Sequence, residues 1–392
     1  MLLAVVHAKL AMNLVVLALG LHIAARPPTR CTVSMRAKDT LEAADAEESA
    51  ALNEAAAAAG ALARSAETLA ATRAAAEERL AALRTELDAG GALAKAMESA
   101  GSGSPPKKVA KALKKPKGSL AIVPEGVPID AASLGGIDLD DPAYIGESSR
   151  DGNAAAVCVR VSGPSMLTAD ALAATVAEQE TARGDFPGPL PVISRDDVVD
   201  TLQLAKAKAD GAGAVVLNVV LNGAEKTKEL FDQARNSSAQ FFGAILIAQF
   251  LRRNFLTPRS SAPQAGGLGL EAIVRVADAA ELTAAVDMGA AIVCIGDCAL
   301  PTAVELLGQL PDGVVSVCDV ELPDVRGAWA VRDEKFNAMI CGKGLLEVCA
   351  RDRIPPAAVI KAMNSKGSVK FGLGMQKGRM EGAKEQLGTL SM

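Results

Sequence analysis

Short apolar runs alternate with segments of helical periodicity along the chain from residue 118 onward. Runs that are apolar on both faces are typical of strands in a parallel sheet, which helices cover on both sides. We predict strands at Leu120–Val123, Ala156–Val161, Pro191–Ile193, Ala214–Val220, Glu271–Val276, Ala291–Ile295, Val314–Cys318 and Ala338–Cys341. Helical segments lie between them, at Thr168–Thr181, Val198–Asp210, Ala224–Asn236, Ala279–Gly289, Ala303–Leu310, Leu322–Glu334 and Pro356–Asn364.

Eight such repeats predict an α/β fold, a closed TIM (β/α)8 barrel over residues 118–365. The rival is an open, doubly wound sheet, which normally carries a glycine-rich phosphate turn after its first strand. The first predicted strand is instead followed by Pro124–Pro128, which lacks that pattern. An insert at residues 239–267 contains four of the eight phenylalanines. It is open to three interpretations: an extended helix, a docking surface, or translated intron sequence.

The first 38 residues have the composition of a targeting leader. An apolar run at Leu10–Ala25 has the length of a signal peptide, and a basic, acid-free stretch follows at residues 26–36. This bipartite order predicts import into a plastid, with simple secretion and a retained anchor as the alternatives. We expect no retained membrane span, because the apolar run is short.

Three further segments flank the predicted barrel. Residues 39–98 are alanine-rich and predict helix, either solvent-exposed or binding a protein partner. Residues 99–117 contain glycine, serine, proline and lysine, and predict a basic flexible linker. Residues 366–392 form a tail without strong periodicity, which either docks on a partner or stays mobile.

Composition narrows the chemistry that the barrel can perform. The net charge is −5, with one Trp and one Tyr, so we expect no nucleic-acid partner. Both histidines, His7 and His22, lie in the leader, which leaves acid–base work in the barrel to Lys, Arg, Asp, Glu or Cys. The seven cysteines fall mostly at predicted strands, as buried thiols do, with a redox or metal role as the alternative. We expect no cofactor and no metal centre.

Six motifs in the right order resemble indole-3-glycerol-phosphate synthase over about 240 residues. Those motifs begin at Gly152, Leu190, Ala272, Val286, Leu310 and Asn337. The resemblance implies a TIM barrel of tryptophan biosynthesis, a carboxy-lyase that closes the indole ring of a phosphorylated substrate. That reaction needs a proton donor, a carboxylate and a phosphate anchor at the carboxyl ends of the strands.

The resemblance implies catalytic positions at Arg195, where the family has a lysine, and at Asp196 and Asp319. It implies a phosphate-binding site at Gly342, Lys343 and Gly344.

Other family positions are changed in kind. The glutamate of the fifth strand falls on Arg275, and the glutamate and lysine of the first strand fall on Ile122 and Pro124. The asparagine and arginine of the sixth strand fall on Gly296 and Cys298.

Two hypotheses follow. The chain is a plastid enzyme that performs this synthase reaction on its phosphorylated substrate. Alternatively, it is a catalytically inactive barrel that acts as a structural or assembly subunit, bound to a protein partner through the N-terminal helix, the insert or the tail.

Overall fold

A computed structural model of the chain describes residues 65–88, 109–116, 118–129, 133–134, 137–163, 166–235, 268–322 and 324–365. The leader, the insert at 239–267, the tail at 366–392 and most of the predicted helical segment lie outside the described residues. In the described ranges, no helix combines the length and the hydropathy that crossing a membrane requires.

Eight parallel strands close into a barrel, as the alternation predicts. Nearly all of their residues are buried, because the interior packs against one face and the helices against the other. The strands are β1 Ala121–Gly126, β2 Val157–Arg160, β3 Val192–Arg195, β4 Ala214–Asn218, β5 Glu271–Val276, β6 Ile292–Gly296, β7 Val315–Asp319 and β8 Ala338–Cys341. Each strand pairs with the next, and β1 pairs with β8 to close the ring. A hairpin of two short strands, Ser133–Leu134 and Ile137–Asp138, follows β1.

The described helices accompany these strands. They are α1 Ala66–Asp88, α2 Val109–Leu113, α3 Pro142–Asp151, α4 Ala171–Thr181, α5 Thr201–Ala209, α6 Val219–Arg235, α7 Ala279–Asp287, α8 Leu300–Leu307, α9 Val325–Asp333, α10 Lys343–Asp352 and α11 Pro356–Asn364. Aspartates cap α3, α5, α7 and α9 by accepting a hydrogen bond from a backbone N–H of the first turn.

Several helices differ from the sequence expectation. Both α3 and α10 form where no helix was predicted. The prediction placed the fourth helix after Gly223, but α6 begins at Val219 and continues past a non-helical Gly223 with φ +75°. A glycine adopts this left-handed backbone without steric cost, which lets one element bend there.

Apolar residues form two layers, inside and outside the barrel wall. Alternate strand residues such as Val123, Ile193 and Ile273 pack on one another inside the barrel. The intervening residues, such as Ile122, Val192 and Val274, pack against the helices. This alternation has a period of two, so it fixes which residue of each strand faces the barrel axis.

Helix α2 closes the amino-terminal end of the barrel. It lies within the predicted linker, yet Val109 and Leu113 are fully buried in the interior cluster. The backbone N–H of Ala110 donates to Glu271 Oε2 at the start of β5, at 2.8 Å. Residues 109–113 are therefore anchored to the barrel and do not behave as a spacer.

Helix α1 lies against the opposite, carboxyl-terminal end. Ala76, Leu80 and Leu87 are buried on one side of the helix, and Leu80 and Leu87 join the outer core cluster. Arg79 forms an ion pair with Asp196 at 2.9 Å. The apolar stripe of this helix is therefore covered by the barrel of its own chain.

We predict that Leu113→Ala lowers the free energy of unfolding by about 2–5 kcal/mol, because it leaves a cavity inside the barrel end. Urea unfolding followed by circular dichroism measures this loss. Lys111→Ala is the matched control, since Lys111 is exposed on the same helix. Equal stabilities of the two variants would contradict the anchoring role of α2.

Candidate functional site

Charged side chains occupy the last inward-facing position of five strands. They are Glu125 of β1, Arg160 of β2, Arg195 of β3, Arg275 of β5 and Asp319 of β7. Each follows the interior apolar residues of its strand at a spacing of two. The carboxyl ends of barrel strands meet at one face, so the five side chains converge there.

One bidentate ion pair spans the barrel mouth. Arg195 Nη1 donates to Asp319 Oδ1 at 2.9 Å, and Arg195 Nη2 donates to Asp319 Oδ2 at 2.7 Å. Strands β3 and β7 are four positions apart in a ring of eight, so they lie on opposite sides. Two parallel, charge-assisted hydrogen bonds of this kind are among the strongest in proteins.

Glu125 lies between two arginines that would otherwise repel each other. Arg160 and Arg195 are register partners on adjacent strands. Arg160 Nη2 donates to Glu125 Oε2 at 3.1 Å, and Arg195 Nη1 donates to Glu125 Oε1 at 3.2 Å. The carboxylate therefore compensates both guanidinium groups.

Arg275 extends the network on the other side of Asp319. Its Nε donates to Asp319 Oδ2 at 2.8 Å, and its Nη2 donates to Asp297 Oδ1 at 2.8 Å. A second hydrogen bond joins Arg275 Nη1 to Asp297 Oδ2. The result is one series, Arg160–Glu125–Arg195–Asp319–Arg275–Asp297, which we call the arginine–carboxylate chain.

Three members of the arginine–carboxylate chain, Arg195, Asp319 and Arg275, keep their charges across the neutral pH range. Burial acts to raise the pKa of Asp319, but Arg195 and Arg275 outweigh it and lower that pKa to about 2. Burial acts to lower the pKa of Arg195, but Asp319 and Glu125 raise it well above its usual value. The pKa of Arg275 is also raised, because its two carboxylate partners overcome the opposing burial and the repulsion from Arg195.

A cavity of about 460 Å³ opens above the arginine–carboxylate chain. All six residues of the arginine–carboxylate chain line this cavity. Thr68, Leu69 and Thr72 of α1 form part of its wall, as do Asn218 of β4 and Cys298 after β6. Its size is within the range of small-molecule sites.

The structure brings together some of the predicted site residues and separates one. Arg195 and Asp319 meet at the centre of the cavity floor, which the arginine–carboxylate chain forms. Gly342, Lys343 and Gly344 line the cavity at the end of β8. Asp196 does not line the cavity. Its carboxylate accepts from Arg79 of α1, so it anchors that helix.

Three residues of the cavity floor were not predicted from the sequence. Arg160 and Asp297 had no counterpart among the family motifs. Glu125 was missed because the first strand was aligned one residue out of register. Ile122 packs outward against the helices, so that alignment was wrong, and the inward positions are Val123 and Glu125. A strict spacing of two from Ala121 identifies Glu125.

The cysteines belong to the core. Five of the six described cysteines are buried, as expected of packed thiols, while Cys31 lies outside the described residues. Burial raises the pKa of Cys318 to about 12, although a backbone hydrogen bond opposes it. In the described part of the chain, no three His, Cys, Asp or Glu side chains are grouped as metal ligands.

Curated relatives support the resemblance that the motifs carry. Proteins named indole-3-glycerol phosphate synthase are 28% identical over 163 residues in Chlorobium phaeovibrioides, 24% over 163 residues in Chlorobium limicola and 27% over 164 residues in Chlorobaculum tepidum. The alignments cover 40% of this chain, which spans about half the length of the curated relatives it matches. No family model matches the chain.

Solved structures that are similar to this chain share little sequence identity with it. A thiamine phosphate pyrophosphorylase from Pyrococcus furiosus has a TM-score of 0.37 at 12% identity, covering 64% of this chain and 98% of that one. A structure titled "Native KDPGal structure" has a TM-score of 0.36 at 15% identity, covering 62% of this chain and 93% of that one.

We predict that Asp319→Asn lowers stability at pH 7 by about 3–5 kcal/mol, because it leaves two buried guanidinium groups short of a charge partner. The pKa of Asp319 is lowered in the fold, so its stabilisation is present above the unfolded pKa of about 3.9. That stabilisation is lost as the pH falls toward about 2.

Chemical unfolding between about pH 2 and about pH 7, a range that includes that window, measures both effects. The wild-type protein should lose more stability over that interval than the variant. Asp352→Asn is the control, because Asp352 pairs with Arg351 on the surface. Parallel pH curves for the wild type and Asp319→Asn would contradict the assignment.

We predict that Gly296→Ala destabilises the barrel by about 1–3 kcal/mol through crowding of the floor. A Cβ at this position would lie 2.9 Å from Asp319 Oδ2 and 3.0 Å from Arg275 Nη2, so the ion pair would have to shift. Gly308→Ala is the control, since its Cβ would meet only ordinary contacts of 3.4 Å or more. Thermal unfolding compares the two, and equal midpoints would count against the crowding.

Proposed function

We propose that this chain is an indole-3-glycerol-phosphate synthase-like barrel whose strand-end charges have a structural role and that does not close the indole ring at the rate of its relatives. The arginine–carboxylate chain carries this proposal. Ring closure needs one group that donates a proton and one that manages it as a base. In the arginine–carboxylate chain, the guanidinium groups stay protonated, and both oxygens of Asp319 accept hydrogen bonds from arginines.

The cavity is also poorly suited to a phosphorylated substrate. Among the described residues that line it, four side chains are cationic and five are anionic. Lys343, the predicted phosphate anchor, is more than half exposed and lies 3.5 Å from Glu347. A phosphate ester carries about two negative charges at neutral pH and would gain little from such a wall.

The second candidate function is the synthase reaction itself. The similarity to five curated proteins named indole-3-glycerol phosphate synthase favours it. Glu125 also supplies a carboxylate on β1 that the motif alignment had missed. Under this alternative, a substrate would have to displace part of the arginine–carboxylate chain in order to reach a proton donor.

A non-catalytic barrel requires another use, and the proposal is a subunit of a plastid assembly. Since α1 is covered by its own barrel, the insert at 239–267 and the tail at 366–392 are the segments that would contact a partner. Plastid import is part of the same proposal, and expression of the leader fused to a fluorescent protein tests it.

We predict that the purified full chain converts 1-(2-carboxyphenylamino)-1-deoxyribulose 5-phosphate at least about 10²–10⁴-fold more slowly than the Chlorobium phaeovibrioides synthase assayed beside it, as loss of an acid or base implies. Indole fluorescence measures product formation. Asp319→Asn is assayed in parallel to identify contaminating activity. A rate within about tenfold of the relative that disappears in Asp319→Asn would reject the proposal in favour of the synthase.

A further inference from the structure

The arginine–carboxylate chain has two different ends. Charges alternate along it without a branch, from Arg160 on β2 to Asp297 directly after β6. Strands β2 and β6 are four apart in the ring of eight, so the two ends lie on opposite sides of the mouth. The six residues of the arginine–carboxylate chain are neutral as a whole, but the series begins with a cation and ends with an anion.

The ends are more accessible than the middle. The side chains of Glu125 and Asp319 are 5% and 9% exposed, whereas those of Arg160 and Asp297 are 26% and 20% exposed. All four line the cavity. A ligand in the cavity therefore contacts the terminal charges more readily than the internal ones.

The ends also retain hydrogen-bonding capacity. Arg160 shares Glu125 with Arg195, and its buried Nε has no hydrogen-bond partner among the described residues. Among the described residues, Asp297 binds a single cation, Arg275, and a carboxylate offers about four acceptor positions. Internal members of the chain are each engaged on two sides. Unused hydrogen-bonding capacity is thus found at both the terminal cation and the terminal anion.

We propose that the cavity binds a small zwitterion of the amino-acid class, with its carboxylate toward Arg160 and its ammonium group toward Asp297. Charge-assisted hydrogen bonds at both ends complete the alternation that the chain leaves open. The amide of Asn218 and the hydroxyl groups of Thr68 and Thr72 line the same cavity and supply neutral partners. A ligand of single charge sign contacts only one end and adds no further partner to the charge at the other end.

This inference goes beyond the proposed function and does not depend on whether the barrel closes an indole ring. Binding is measured without turnover, so failure of one proposal is distinguishable from failure of the other. Synthase activity with zwitterion binding would reject only the proposed function, and an inactive barrel without zwitterion binding would reject only this inference.

The test is isothermal titration calorimetry on the full chain at low ionic strength, where charge contacts are least screened. The probes are alanine, 3-aminopropanoate and 4-aminobutanoate, each beside the acid and the amine of the same carbon skeleton, with inorganic phosphate as a further probe. We expect at least one zwitterion to bind about tenfold more tightly than its matched acid and amine, a difference of about 1.4 kcal/mol. Phosphate binding that equals or exceeds the best zwitterion, or no binding of any probe, overturns the proposal.

Two substitutions then assign the ends. Arg160→Gln should abolish the advantage of the zwitterion over its matched amine, and Asp297→Asn should abolish its advantage over its matched acid. Arg351→Gln is the control, because Arg351 lies on the surface and pairs only with its neighbour Asp352 among the described residues. Thermal unfolding checks that each variant is folded, and the probe comparison on the unsubstituted protein stands even where a variant is not. A preference that survives both substitutions overturns the orientation and the site.

Discussion

The bidentate bond between Arg195 and Asp319 is the interaction on which the functional end of the barrel depends. It joins opposite strands across the mouth, where each strand would otherwise finish with a charge facing a low-dielectric interior. Isolated charges in such a place cost several kcal/mol each, so every member must find a counterion. The positions of Glu125, Arg160, Arg275 and Asp297 follow from that requirement. Each supplies the opposite charge to its neighbour in the series.

The changes from the family motifs make physical sense as a set. Arg275 reverses the charge that the resemblance implies for β5, which would place two arginines beside a single aspartate. Asp297 provides the extra carboxylate, from a backbone with φ +54° that few non-glycine residues adopt. Gly296 leaves the space in which Arg275 and Asp319 meet. No one of these residues is favourable without the others, so the ion-pair network depends on all of them together.

Much of the fold follows from the sequence, because a buried parallel strand and an amphipathic helix have distinct periods. The predicted limits of β5, β8 and α11 agree with the structure to the residue. The end of β1 was missed by three residues, since Pro124 was taken as the end of the apolar run although the strand continues to Gly126. Helix α3 was missed despite Asp141 and Pro142, a cap followed by a first-turn proline that together mark a helix start.

The site was less predictable, because the direction of a side chain depends on register and not on motif order. Asp196 directly follows Arg195 in the sequence, yet the strand alternation turns their side chains to different sides, one to Arg79 and the other to Asp319. Conversely, Glu125 and Asp319 are 194 positions apart and share the guanidinium of Arg195. The alternation of strands and helices therefore located the barrel, and the motif resemblance located the height of the site along its axis. Which charges meet at the floor was decided by a period of two counted from the buried residues of each strand, and by the cost of leaving any one of those charges unpaired.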